Sequence, residues 1–149
     1  MENTIADLLD AIIPQLNQLL RSMRLWMAIA MIIGPVCLIG LGLFYRKWAP
    51  PEANHKLGYR TYFGMGSVNA WKYTQKLAGK VWFGVGIALA AVALLGSVLV
   101  LVMDPSKGTT IALVVLVIEF IVALAAYATV ELMVLKRYDI NGKKRKNKK

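Results

Sequence analysis

The residues with most chemistry to offer lie between positions 54 and 79 of a 149-residue chain: Asn54, Gly58-Tyr59-Arg60-Thr61, Trp71 and Gln75. Arg60 carries a planar fork of donors that matches a carboxylate or a phosphate. Gly58 permits a positive φ or a close backbone approach, which would display Tyr59 and Arg60 beside it. Asn54 can satisfy backbone groups of the same turn, and Trp71 can anchor a helix at a membrane interface. This is the chemistry of recognition. The chain has no His-Glu-x-x-His, no paired Cys-x-x-Cys, no phosphate-loop lysine and no nucleophile elbow. Gly64-x-Gly66 alone is too short a signal for a phosphate cradle, and His55 reads as a solvent-exposed loop histidine. No enzyme, metal or cofactor is expected. One further group stands apart: Glu119, the ionisable residue deep in an apolar run, where an isolated charge is costly and the carboxyl should be neutral, paired or turned to the protein interior. Ala112, Ala123 and Ala126 share its helical face, which directs that face to another helix. Glu131 lies about three turns away on the same run, too far for shared acid–base work, and near enough to the span end to pair with a lysine or arginine.

The elements that must position these residues are set by composition. The chain is 58% hydrophobic with mean hydropathy +0.55, far above an ordinary soluble domain. Three apolar runs, residues 25–45, 81–103 and 110–135, are each long enough to cross a bilayer core of roughly 30 Å. The reading is an all-α integral membrane protein with three transmembrane helices, an N-terminal amphipathic helix and a short cytoplasmic interfacial helix.

Residues 1–22 form the amphipathic segment. Ile5, Leu8, Leu9, Ile12, Ile13, Leu16, Leu19 and Leu20 repeat at three- and four-residue steps, and the segment lies on the membrane or packs on a partner. Pro14 predicts a kink or two short helices there. Residues 23–135 form the three-span domain, with the polar loop at 46–80. Within that loop Ser67 is a good N-cap, and Trp71, Gln75, Ala78 and Trp82 then fall on one helical face while Asn69, Lys72, Lys76 and Lys80 fall on another. Gly79 is a candidate hinge into the second span. Gly84, Gly86, Ala88, Ala91, Gly96 and Ser97 allow that span close helix contact. Gly34-Pro35 bends the first span without any functional duty, and Cys37, the single cysteine, reads as a small buried residue that can form no intrachain disulfide. The N-terminus lacks the features of a cleaved signal peptide, so the first span is retained.

The formal net charge is +10. The basic residues flank spans, which is what membrane orientation requires and argues against nucleic acid. The 46–80 loop holds seven against Glu52, and the 136–149 tail eight against Asp139. By the positive-inside rule both are cytoplasmic, attracted to anionic lipid headgroups, and an odd number of spans puts the N-terminus outside. The tail reads as disordered.

The series Asn54, Gly58-Tyr59-Arg60-Thr61, Trp71, Gln75 and Ala78-Gly79, followed at once by an apolar span, resembles the SdpI-type immunity family, the SdpI/YfhL-like bacterial membrane proteins. The resemblance covers roughly residues 50–103; the chain is shorter than the family's best-studied kind of member and opens with a different, amphipathic segment. It implies a protein of the cell membrane that binds or neutralises a membrane-active peptide toxin and is able to hold a cytoplasmic regulator. Partner binding would then fall to Asn54, Gly58, Tyr59, Arg60, Thr61, Trp71 and Gln75. Glu119, Gly34-Pro35 and the glycine-rich second span point instead to a subunit of a small oligomeric transporter or channel, since three spans enclose a path only as a homo-oligomer. A membrane scaffold without ligand is the third reading.

The charge count makes topology testable. Single cysteines introduced at positions 52 and 147 should resist an impermeant thiol reagent in intact cells, while one at position 3 reacts; labelling of the loop from outside would invert the assignment.

Overall fold

The computed structural model describes residues 2–53 and 56–145. Three helices dominate: α1 (Glu2–Lys47), α2 (Val68–Val102) and α3 (Pro105–Arg137), with one 3-10 turn among the described residues, at Gly64–Gly66. All three helices are long and apolar enough to cross a membrane. The chain is an all-α membrane protein.

The helices run longer than the apolar spans alone. The amphipathic segment and the first span are one helix of 46 residues, about 69 Å long at 1.5 Å per residue. It stays helical through Pro14 and Pro35. Each proline forfeits one amide bond and crowds the preceding turn, at a cost of about 3 kcal/mol, but strongly helical sequence on both sides shares one nucleation cost and carries the helix across. Likewise the short interfacial helix runs unbroken into the second span, so α2 has 35 residues and is continuous through Gly79. Ser67 does cap it: its Oγ accepts from the amide of Ala70 at 3.2 Å.

The chain divides into two compact units. The first comprises the described part of Met1–Ile33 together with Ala91–Ile118. Its core is Met31, Ala93, Val100, Ala112 and Val115. Arg24 binds the end of α2, donating from Nε to the carbonyl of Val100 at 2.8 Å and from Nη2 to those of Leu101 and Met103 at 2.6 Å. The carbonyls of Val100 and Leu101 have no amide partners within the helix, and a cation complements the negative end of its dipole. Ser97 donates to the carbonyl of Ala28 at 3.2 Å. The apolar stripe of the N-terminal segment, including Ile5, Leu8, Ile12, Ile13, Leu16 and Leu19, is exposed.

The second unit comprises Gly34–Ala90 with the described part of Glu119–Lys149. Tyr59, Ala78, Trp82, Ala126, Val130 and Val134 form its core. Residues 138–145, expected as part of a disordered tail, fold back as a closed turn. Tyr138 and Lys144 pair as an antiparallel bridge. The Asp139 carboxylate accepts from the amides of Asn141 (3.0 Å) and Lys143 (2.7 Å), and Gly142 takes the positive φ of 69° that closes the turn. Cys37, expected to be buried, is exposed on α1.

The glycines of α2 are not alike. A Cβ at Gly86 would stand 2.8 Å from the amide nitrogen of Ile39, whereas one at Gly84 would meet nothing within 4 Å. Gly86→Ala should therefore destabilise by about 1–3 kcal/mol, as overpacking does. Gly84→Ala should be neutral or stabilising by up to about 1 kcal/mol through helix propensity. Thermal unfolding in detergent separates the two, and equal melting points would refute the close contact.

Candidate functional site

The loop between α1 and α2 is built on one amide. Gln75 lies one turn beyond Trp71 on the inner face of α2 and is buried. Its Oε1 accepts from the Tyr59 amide at 2.8 Å, and its Nε2 donates to the Tyr59 carbonyl at 2.6 Å. A side-chain carboxamide thus pairs both polar groups of one residue, as a neighbouring strand would, in a segment with no strand to pair it.

The residues on either side follow from this bracket. Gly58 adopts φ +107°, and a Cβ there would fall 2.6 Å from Trp71 Cζ2, so both conformation and space demand glycine. Trp71 is wholly buried and its Nε1 donates to the Pro50 carbonyl at 2.8 Å. It anchors the loop to the end of α1 and is not exposed at an interface. The Tyr59 ring turns inward against Tyr45 (centroids 5.6 Å), Tyr127 (6.1 Å) and Trp82 (6.3 Å), distances at which edge and tilted rings attract. Burial, reinforced by the Glu131 carboxyl, holds the Tyr59 phenol above its ordinary value of 10. Its hydroxyl finds no hydrogen-bond partner among the described residues.

Past Tyr59 the chain turns. Buried Thr61 receives the Gly64 amide on its Oγ1 at 2.7 Å, which starts the 3-10 turn. The turn after α3 docks here: Ser67 Oγ donates to the Gly142 carbonyl at 2.8 Å, and Tyr138 packs against Tyr73 in a tilted arrangement with centroids 5.6 Å apart. Arg137 lies over that same Tyr73 ring at 4.4 Å. Sequence reasoning missed this contact; the local signals for it are Asp139 and the turn dipeptide Asn141-Gly142.

The structure therefore brings Gly58, Tyr59, Thr61, Trp71 and Gln75 together as the frame of one loop, with Arg60 on its exposed surface beside exposed Leu57 and Tyr62. Asn54 lies outside the described residues.

Glu119 is buried, as its alanine-lined face predicts, and Oε1 has no hydrogen-bond partner among the described residues. A Cβ at Gly34 would stand 3.2 Å from Oε2. Gly34 thus makes room for the carboxyl, a duty not foreseen for it. Glu131 forms no ion pair among the described residues. No cluster of three or more metal-ligating side chains occurs among the described residues.

An all-α membrane protein with a buried, internally paired loop between its first two spans is the class this geometry defines. The chain belongs to the SdpI/YfhL protein family, whose model matches residues 52–128, just over half of its length. The match extends past the stretch whose motifs carry the resemblance, through the α2–α3 connection and Glu119. No curated protein and no solved structure matches the chain.

Gln75→Leu should leave both Tyr59 backbone groups unpaired in a buried setting, at about 1–3 kcal/mol for each. Gln75→Glu retains an acceptor for the amide and should cost less. Thermal unfolding and limited proteolysis in the loop provide the measurement; a leucine variant as stable as the parent would disprove the bracket.

Proposed function

We propose that this chain protects the membrane that holds it against a membrane-active peptide, with the α1–α2 loop as the cytoplasmic recognition element. Membership of the SdpI/YfhL family supports the immunity class. The observation that carries the site is the bracketed loop: five buried or half-buried residues hold Arg60 and Tyr62 outward on a surface that has little freedom left to lose on binding. Arg60 supplies the charge-assisted contact and Tyr62 and Leu57 the apolar one. The same surface suits a soluble regulator recruited to the membrane.

A second reading, a subunit of an oligomeric transporter or channel, draws on Glu119, a buried intramembrane carboxyl whose Oε1 has no hydrogen-bond partner among the described residues, the kind of group that serves ion paths.

One assay separates them. Cells expressing the protein at matched membrane abundance are challenged with peptide toxins. Arg60→Lys keeps the charge and loses the fork, so the tolerated dose should fall by about tenfold or more, the scale of one charge-assisted hydrogen bond, while Glu119→Gln protects as the parent does. If the Arg60→Lys variant protects fully, Arg60 serves only topology. If Glu119→Gln alone abolishes protection, the transport reading takes precedence.

A further inference from the structure

Beside the loop, and lined only by residues of the second unit, is a pocket of about 480 Å³, within the range of small-ligand clefts (about 300–1,000 Å³). Its wall carries Arg46 from the end of α1 and Lys72, Lys76 and Lys80 from α2, with Tyr45 and Pro50 completing it. No carboxylate lines it, and none of the four cations forms an ion pair among the described residues.

We infer that this pocket is a binding site for the phosphate group of an anionic membrane lipid. Three lysines at four-residue spacing on one helix repel one another, and Arg46 adds a fourth charge, so the arrangement is stabilised by a shared anion. The wall is preorganised. Arg46 lies across Gly79, where a Cβ would collide with its Cγ, and its guanidinium rests 5.4 Å from the centre of the Phe83 ring. The Pro50 carbonyl is held by Trp71 and the Gln75 amide by Tyr59. Tyr45 and Lys80 border the first two apolar runs, at the depth where lipid phosphates lie. A lysine near an anionic surface is worth about 1 kcal/mol, hence about fivefold in affinity.

The full-length protein in a neutral detergent is titrated with short-chain phosphatidylglycerol, short-chain phosphatidylcholine or inorganic phosphate and followed by calorimetry. Phosphatidylglycerol should bind at least tenfold more tightly than phosphatidylcholine. The Lys72→Gln/Lys76→Gln pair should weaken it by about 25-fold; the charge-matched Lys143→Gln/Lys144→Gln pair should change it by less than twofold. Lys76→Arg, which keeps the charge, should bind like the parent and guards against a folding defect. Equal losses in both glutamine pairs would reduce the effect to general charge attraction and overturn the site. Displacement of the lipid by equimolar inorganic phosphate would make the ligand a free anion, and capture of an acidic peptide but not of phosphatidylglycerol would make it a protein segment; either result removes the lipid assignment.

Discussion

A buried peptide group must be paired, and in the α1–α2 loop that demand falls on the carboxamide of Gln75. With both polar groups of Tyr59 satisfied from α2, the Tyr59 ring can enter the core among Tyr45, Trp82 and Tyr127. Gly58 must then approach the indole of Trp71, and Trp71 in turn reaches Pro50. Remove the amide and the neighbouring contacts lose the residue they are arranged around. The net value of each such hydrogen bond is only about 1 kcal/mol, but leaving its partner unmade in a buried place costs more than making it gains.

The same pattern recurs through the molecule. Arg24 commits its guanidinium to three carbonyls at and just past the end of α2, Ser67 its hydroxyl to an amide and a carbonyl, and Asp139 its carboxylate to two amides. Where water is scarce, main-chain groups at helix ends and turns must find partners inside the protein. Several polar side chains that stand out in the sequence are given over to that task. The exposed surface of the loop is correspondingly small: Arg60 beside Leu57 and Tyr62, and a lysine face along α2.

Much of this was legible in the sequence. Length and hydropathy alone place three spanning helices, because apolar runs of that size have few other fates. The grouping of Gly58, Tyr59, Thr61, Trp71 and Gln75 was also readable, from glycine, capping and helical spacing. What each does was not. Trp71 reads as an interfacial anchor because tryptophan favours that depth, yet its burial depends on Pro50, twenty-one positions earlier. The continuity of α1 through Pro14 is a balance between a local penalty and the cooperativity of the flanks, and composition shows only the penalty. The folded turn at 138–145 was masked by its own charge: a run of lysines and arginines reads as solvated, while the short-range signals, Asp139 and Asn141-Gly142, are few.

That turn has a consequence for how the protein is made. The hydroxyl of Ser67 and the ring of Tyr73 take their partners, Gly142 and Tyr138, from the turn that follows α3. The loop's last wall can therefore be set only once the third span has been synthesised and that turn has left the ribosome. Until then the polar segment between the first two helices is exposed to proteases and chaperones in a form that the finished molecule does not present, so a stall just after α3 would leave an inserted but unsealed protein.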